Sequence, residues 1–125
     1  MKLRTKKADV WITEREGGGE AQFLIRPMTP KEDLDLLQAC TRKAWDRGQR
    51  FDEPDYYLFK IEKIDRIIID WKGIEDENGK SIPCTRENKE VVYLNNALFI
   101  DRVIERSTQI QLATTIAQEE ERKNL

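Results

Sequence analysis

The chain has 125 residues, 22 of them basic and 24 acidic, with no histidine and two cysteines. That length suits one domain with a modest core, and 38% hydrophobic against 37% charged residues means a thin core under a heavily solvated surface. A net charge of −2 gives no global basic excess for binding phosphates, and the missing histidine removes the commonest general base and metal ligand.

The N-terminal Lys2, Arg4, Lys6 and Lys7 read as a solubilising basic arm rather than a phosphate-binding one. Asp9–Thr13 and Ala21–Ile25 are β-rich runs on either side of Gly17-Gly18-Gly19, which predicts a hairpin with a flexible tip. The three glycines are no phosphate cradle, because no Lys-Ser/Thr follows and the next element is a strand. Thr29-Pro30-Lys31-Glu32 then opens a helix: Thr29 is the N-cap, Pro30 suits the first helical position, and Glu32 completes a capping box. Leu34, Leu37, Thr41 and Trp45 fall on one helical stripe, predicting a helix to about Gly48 with Trp45 on its core face.

Glu53-Pro54 starts a second predicted helix, whose stripe is Tyr57, Ile61, Ile64, Ile68 and Trp71. The β-branched triplet Ile67-Ile68-Ile69 argues for helix only to about Arg66 and an extended exit through Ile74. Asn78-Gly79 is expected to supply the positive φ angles of a tight reversal, making a second small hairpin that Pro83 ends. Thr85 caps a short helix to Leu94, broken at Asn95-Asn96, and a last helix runs from Ala97. From Glu119 the sequence has no apolar face and is expected to fray. The expected fold is therefore α+β: an N-terminal β-hairpin, a small hairpin around Asn78-Gly79 and four helices. These make a single compact domain over 1–118 with a frayed polar end over 119–125.

No catalytic, cofactor or metal site is expected. Glu75, Asp76 and Glu77 lack the alternating ligand ladder and closing glutamate of a calcium loop, so a solvated turn is the better reading. Glu62, Asp65 and Asp70 are ordinary helix-surface carboxylates, neutralised by Lys60, Lys63 and Arg66 at helical spacings. Cys40 and Cys84 form no Cys-x-x-Cys pair; two reduced thiols are favoured, and one disulfide between them is the alternative. No apolar run reaches the roughly 20 residues that span a bilayer, and the N-terminus has no apolar signal segment, so no membrane role and a cytoplasmic location are expected. Trp71, at an element boundary, reads first as core and second as a partner anchor. Ile110, Leu112 and Ile116 on the last helix are the remaining candidates for partner binding.

Three segments in order carry a resemblance. They are Pro27-Met28-Thr29-Pro30 after a short β segment; the Asp52–Ile74 block with Ile68-Ile69-Asp70-Trp71-Lys72-Gly73-Ile74; and Asp76-Glu77-Asn78-Gly79-Lys80-Ser81-Ile82-Pro83 leading to Glu87-Asn88-Lys89. Together they resemble the tail assembly chaperones of tailed bacteriophages and related prophage proteins, over roughly residues 20–105. The resemblance implies a non-enzymatic protein without cofactor that binds the tape-measure protein, or a tail-tube protein, with no nucleic acid or membrane partner and with room for an oligomer. A structural virion accessory at the head–tail joint or tail tube, or a small regulatory adaptor binding a host protein or DNA, are the alternatives. A tape measure would be gripped in the helix-in-groove manner, with the helix from Ala97 as the expected contact.

Overall fold

A computed structural model describes residues 1–2 and 8–123, apart from the side chain of residue 118. Arg4, Lys6 and Lys7 of the basic arm, and Asn124 and Leu125 of the polar end, lie outside the described residues. The elements in order are β1 (Val10–Glu16), β2 (Gly19–Ile25), α1 (Pro30–Ala39), β3 (Thr41–Asp46), β4 (Gln49–Pro54), α2 (Tyr56–Ile67), β5 (Ile68–Lys72), α3 (Arg86–Asn95) and α4 (Ala97–Lys123). The architecture is α+β, with four helices and two small antiparallel sheets.

The first sheet has the order β1-β2-β5. Its inner face is written in alternation: Ala21, Phe23 and Ile25 are buried while Gln22 is exposed, as a half-covered antiparallel strand requires. The β1–β2 reversal takes two residues, Gly17 at φ 56° and Gly18 at φ 80°, between the paired Glu16 and Gly19. The expected flexible tip is thus a tight turn that extends both strands. Ile12, Phe23, Ile25 and Trp71 of the sheet meet Ile64 and Ile67 of α2 and Phe99, Ile100, Val103 and Ile104 of α4 in one core. Phe23 sits at its centre, edge-on to Trp71 at 6.4 Å and tilted against Phe99 at 5.8 Å. On the outer face the Lys72 ammonium lies 4.5 Å from the Trp11 ring centroid, a cation–π contact.

α1 begins as the sequence predicts, with the Thr29–Glu32 capping box complete. It ends earlier. Cys40 caps it, and the residues read as its second half form the β3–β4 hairpin instead. Arg47 at φ 50° and Gly48 at φ 77° make the two-residue turn, and Glu53 and Pro54 close β4 rather than opening a helix. α2 starts one residue past its N-cap, Asp55, whose carboxylate accepts from the Leu58 amide. Its hand-over to a strand at Ile67–Ile68 follows the β-branched triplet, as predicted.

The reversal after β5 is organised by Asp76 more than by Asn78. Gly79 N donates to Asp76 O, and Asp76 Oδ1 accepts from the amides of Asn78 and Lys80. Gly79 alone of the Asn-Gly pair has positive φ, and the segment is bridged only at Glu75–Ser81, so no second strand pair develops there. Thr85 caps α3 through the Asn88 amide, and the side-chain amides of Asn95 and Asn96 donate to the carbonyls of Val91 and Val92 as α3 ends.

Ion pairs clip the helices together. Lys63 reaches Asp33 of α1 at 2.9 Å, and Lys60 reaches Asp101 of α4 at 2.8 Å. Lys89 of α3 is buried, and its ammonium donates to Oδ1 and the backbone carbonyl of Asp65 at 3.0 and 3.2 Å. A buried ammonium is tolerable only with such partners. Arg102 and Arg106 of α4 bracket Glu14 of β1 at 3.6 and 3.2 Å.

Cys40 is buried and Cys84 half-buried; both are free thiols, and burial pushes both above the ordinary cysteine value. A raised pKa leaves less thiolate at any given pH, and thiolate is the reactive species. Iodoacetamide at about pH 8 is therefore expected to alkylate both far more slowly in the native protein than in urea. Equal rates in the two conditions would contradict the placement of these thiols.

Candidate protein-binding surfaces

Of the four residues the sequence offers for partner binding, Trp71 is in the core. It is 6% exposed, and its indole Nε1 donates to the Ile82 carbonyl at 2.7 Å, fastening the turn to the sheet. Its place at an element boundary serves packing. Ile110 is half-buried and packs on the edge of the core. Leu112 and Ile116 are exposed, at 59% and 50%.

The geometry of α4 explains that division. At 1.5 Å per residue its 27 residues span about 40 Å. Phe99, Ile100, Val103, Ile104 and Ser107 are buried, and Ile110 and Thr114 are half-buried. From Thr115 to Lys123 every described side chain is exposed, so the helix projects past the core and past the Gln118 boundary drawn from the sequence. Leu112 and Ile116 lie one turn apart, on one face of this projection. A helical segment as short as Thr115–Lys123, without tertiary packing, is marginal in water.

The β3–β4 ribbon is a second projection. Its residues are exposed or half-buried, and its strands are tied by Lys43–Asp52 at 2.8 Å and Arg42–Glu53 at 2.9 Å. The Lys43 ammonium holds the Asp52 carboxyl below its ordinary range through a hydrogen bond. Trp45, expected in the core of a helix, is 70% exposed on this ribbon, opposite Arg50, and Phe51 is exposed on the other face. The helical stripe that placed Trp45 with Leu34 does not exist beyond Cys40. Leu34 is itself exposed, and Leu36 is the buried residue of α1. Val91, Leu94 and Leu98 add a third exposed apolar group around the α3–α4 corner.

Among the described residues no cluster of three or more acidic or cysteine side chains is placed to hold a metal ion. No helix of the described residues is long and apolar enough to cross a membrane. What the molecule presents is a small α+β domain with large apolar side chains on projecting elements. Residues 35–124 match the family described as YdaY prophage protein, and the chain belongs to that family. It is thus a prophage protein. The matched span takes in both projections and leaves out β1 and β2. Comparison with curated proteins and with solved structures returns no match.

Proposed function

We propose that this prophage protein works without catalysis, in the host cytoplasm, by binding another protein during tail assembly. The partner is the tape-measure protein, kept soluble until tail-tube subunits enclose it. The observation that carries the protein-binding part is the projecting end of α4 with Leu112 and Ile116 exposed on one face. Apolar side chains displayed at helical spacing on an unsupported helix suit pairing with a second helix. The tail-assembly part rests on the resemblance of the Asp70–Lys89 segment and agrees with the prophage family.

Co-expression tests the reading. A tape-measure-like protein from the same prophage is expected to become soluble and to co-purify with the full chain. The Leu112→Ser/Ile116→Ser variant is expected to keep its melting temperature, since both residues are exposed, and to lose most of that solubilising effect. Truncation after Gln109 should lose it altogether. Undiminished activity in either variant, or recovery of the protein from mature particles, would sink the proposal.

A further inference from the structure

The tip of the β1–β2 hairpin, the Asp76–Gly79 turn and the α3–α4 corner enclose a groove of about 670 Å³, on a different part of the molecule from the end of α4. Its lining is mixed, and its apolar part is formed by Ile74, Ile82, Val91 and Phe99 among others. Its rim carries six carboxylates, Glu14, Glu16, Glu20, Glu75, Asp76 and Glu77, and no basic residue lines it. Four of the six are already engaged. Arg102 and Arg106 hold Glu14, Arg102 also reaches Glu16 at 3.5 Å, Arg15 holds Glu20 at 3.0 Å, and Asp76 accepts two turn amides. Glu75 and Glu77 have no cationic partner among the described residues.

An apolar floor beneath an acidic rim that arginines compensate only in part selects its ligand by charge. Clefts lined by one sign of charge focus the field and draw in the opposite sign. A nucleic acid or an anionic lipid surface would be repelled. The rim does not converge on a metal-binding geometry either. We propose that this groove docks a cationic amphipathic segment of a partner protein, with apolar side chains on the Ile74–Val91 floor and Lys or Arg side chains reaching Glu75 and Glu77. This surface goes beyond the reading of α4 above, and its test uses peptides, so either can fail alone.

The probe is a labelled Leu/Lys amphipathic helix of about 18 residues, with a Ser/Lys peptide of equal charge and a Leu/Glu peptide as controls. Binding is read by fluorescence anisotropy on the full chain. The Leu/Lys peptide is expected to bind, and to weaken at least about tenfold between roughly 50 and 300 mM salt, as a charged rim requires. Glu75→Gln/Glu77→Gln should weaken it by about fivefold or more, chiefly through the association rate, at unchanged melting temperature. Val91→Ser, at an exposed floor position, should weaken the Leu/Lys peptide while leaving the Ser/Lys peptide unaffected. No binding, equal binding of the Ser/Lys peptide, or indifference to Glu75→Gln/Glu77→Gln would overturn the proposal. So would self-association abolished by that same variant, which would make a second copy the occupant.

Discussion

Trp71→Ala is expected to lower stability by about 3–5 kcal/mol, the range for removing a large aromatic from a packed core. Two losses combine. The ring leaves a void beside Phe23, against which it packs edge-on, and the Ile82 carbonyl loses its indole donor. For a domain of this size the melting temperature should fall by about 10–20 °C. Trp71→Phe weights the two effects differently, since it keeps part of the packing and loses the whole hydrogen bond; about 1–3 kcal/mol is expected. Urea denaturation followed by far-UV circular dichroism measures both. A Trp71→Ala variant as stable as the parent would mean that the turn from Ile74 to Ile82 is not held by the indole.

Gly73→Ala is the second large effect, for a different reason. Gly73 leaves β5 at φ 83°, where an L side chain is strained by about 1–2 kcal/mol. Here there is also no room. A Cβ would stand 2.8 Å from the Glu20 carbonyl oxygen and 3.4 Å from the Ala21 Cα, both backbone atoms of β2. Neither can move without disturbing the central strand. The combined cost is expected to reach about 2–4 kcal/mol. Gly79→Ala is the internal comparison: its φ is 78°, yet a Cβ there meets only the flexible Glu75 carboxylate at 3.8 Å. It should cost only the backbone strain, about 1–2 kcal/mol. Equal losses in the two variants would show that the approach of β5 to β2 is not what requires the glycine.

Local chemistry made parts of this fold legible in the sequence. The Thr29–Glu32 capping box, the Thr85 cap and the change from helix to strand at Ile67–Ile68 each depend on neighbours within a few residues. The β3–β4 ribbon was not legible by apolar pattern, because it buries neither face and its order comes from pairs such as Lys43–Asp52. The available signal was charge complementarity mirrored about Arg47-Gly48, with Arg42 and Lys43 opposite Glu53 and Asp52. Reading helix through that turn misplaced one tryptophan. Trp45, read as continuing the stripe, is exposed, whereas Trp71, read first as core, is core. The same limit holds for α4. Its apolar residues announce a helix, but only the position of the core shows that packing stops near Ile110. The acidic groove draws on β1, β2, α3 and the turn after β5, segments far apart in the chain, and no spacing rule connects them.

One hydrogen bond at the foot of the ribbon has a further consequence. The Asp55 amide donates to the Cys40 carbonyl at 2.9 Å, so the residue that ends α1 and the residue that caps α2 already touch. All of Thr41–Pro54 leaves and returns through this single doorway. The entropy of closing such an excursion changes only logarithmically with its length. The chain between the two helices can therefore lengthen, shorten or change sequence with little strain on the core. That makes the ribbon the part of the domain that can be exchanged while the frame that carries it stays the same.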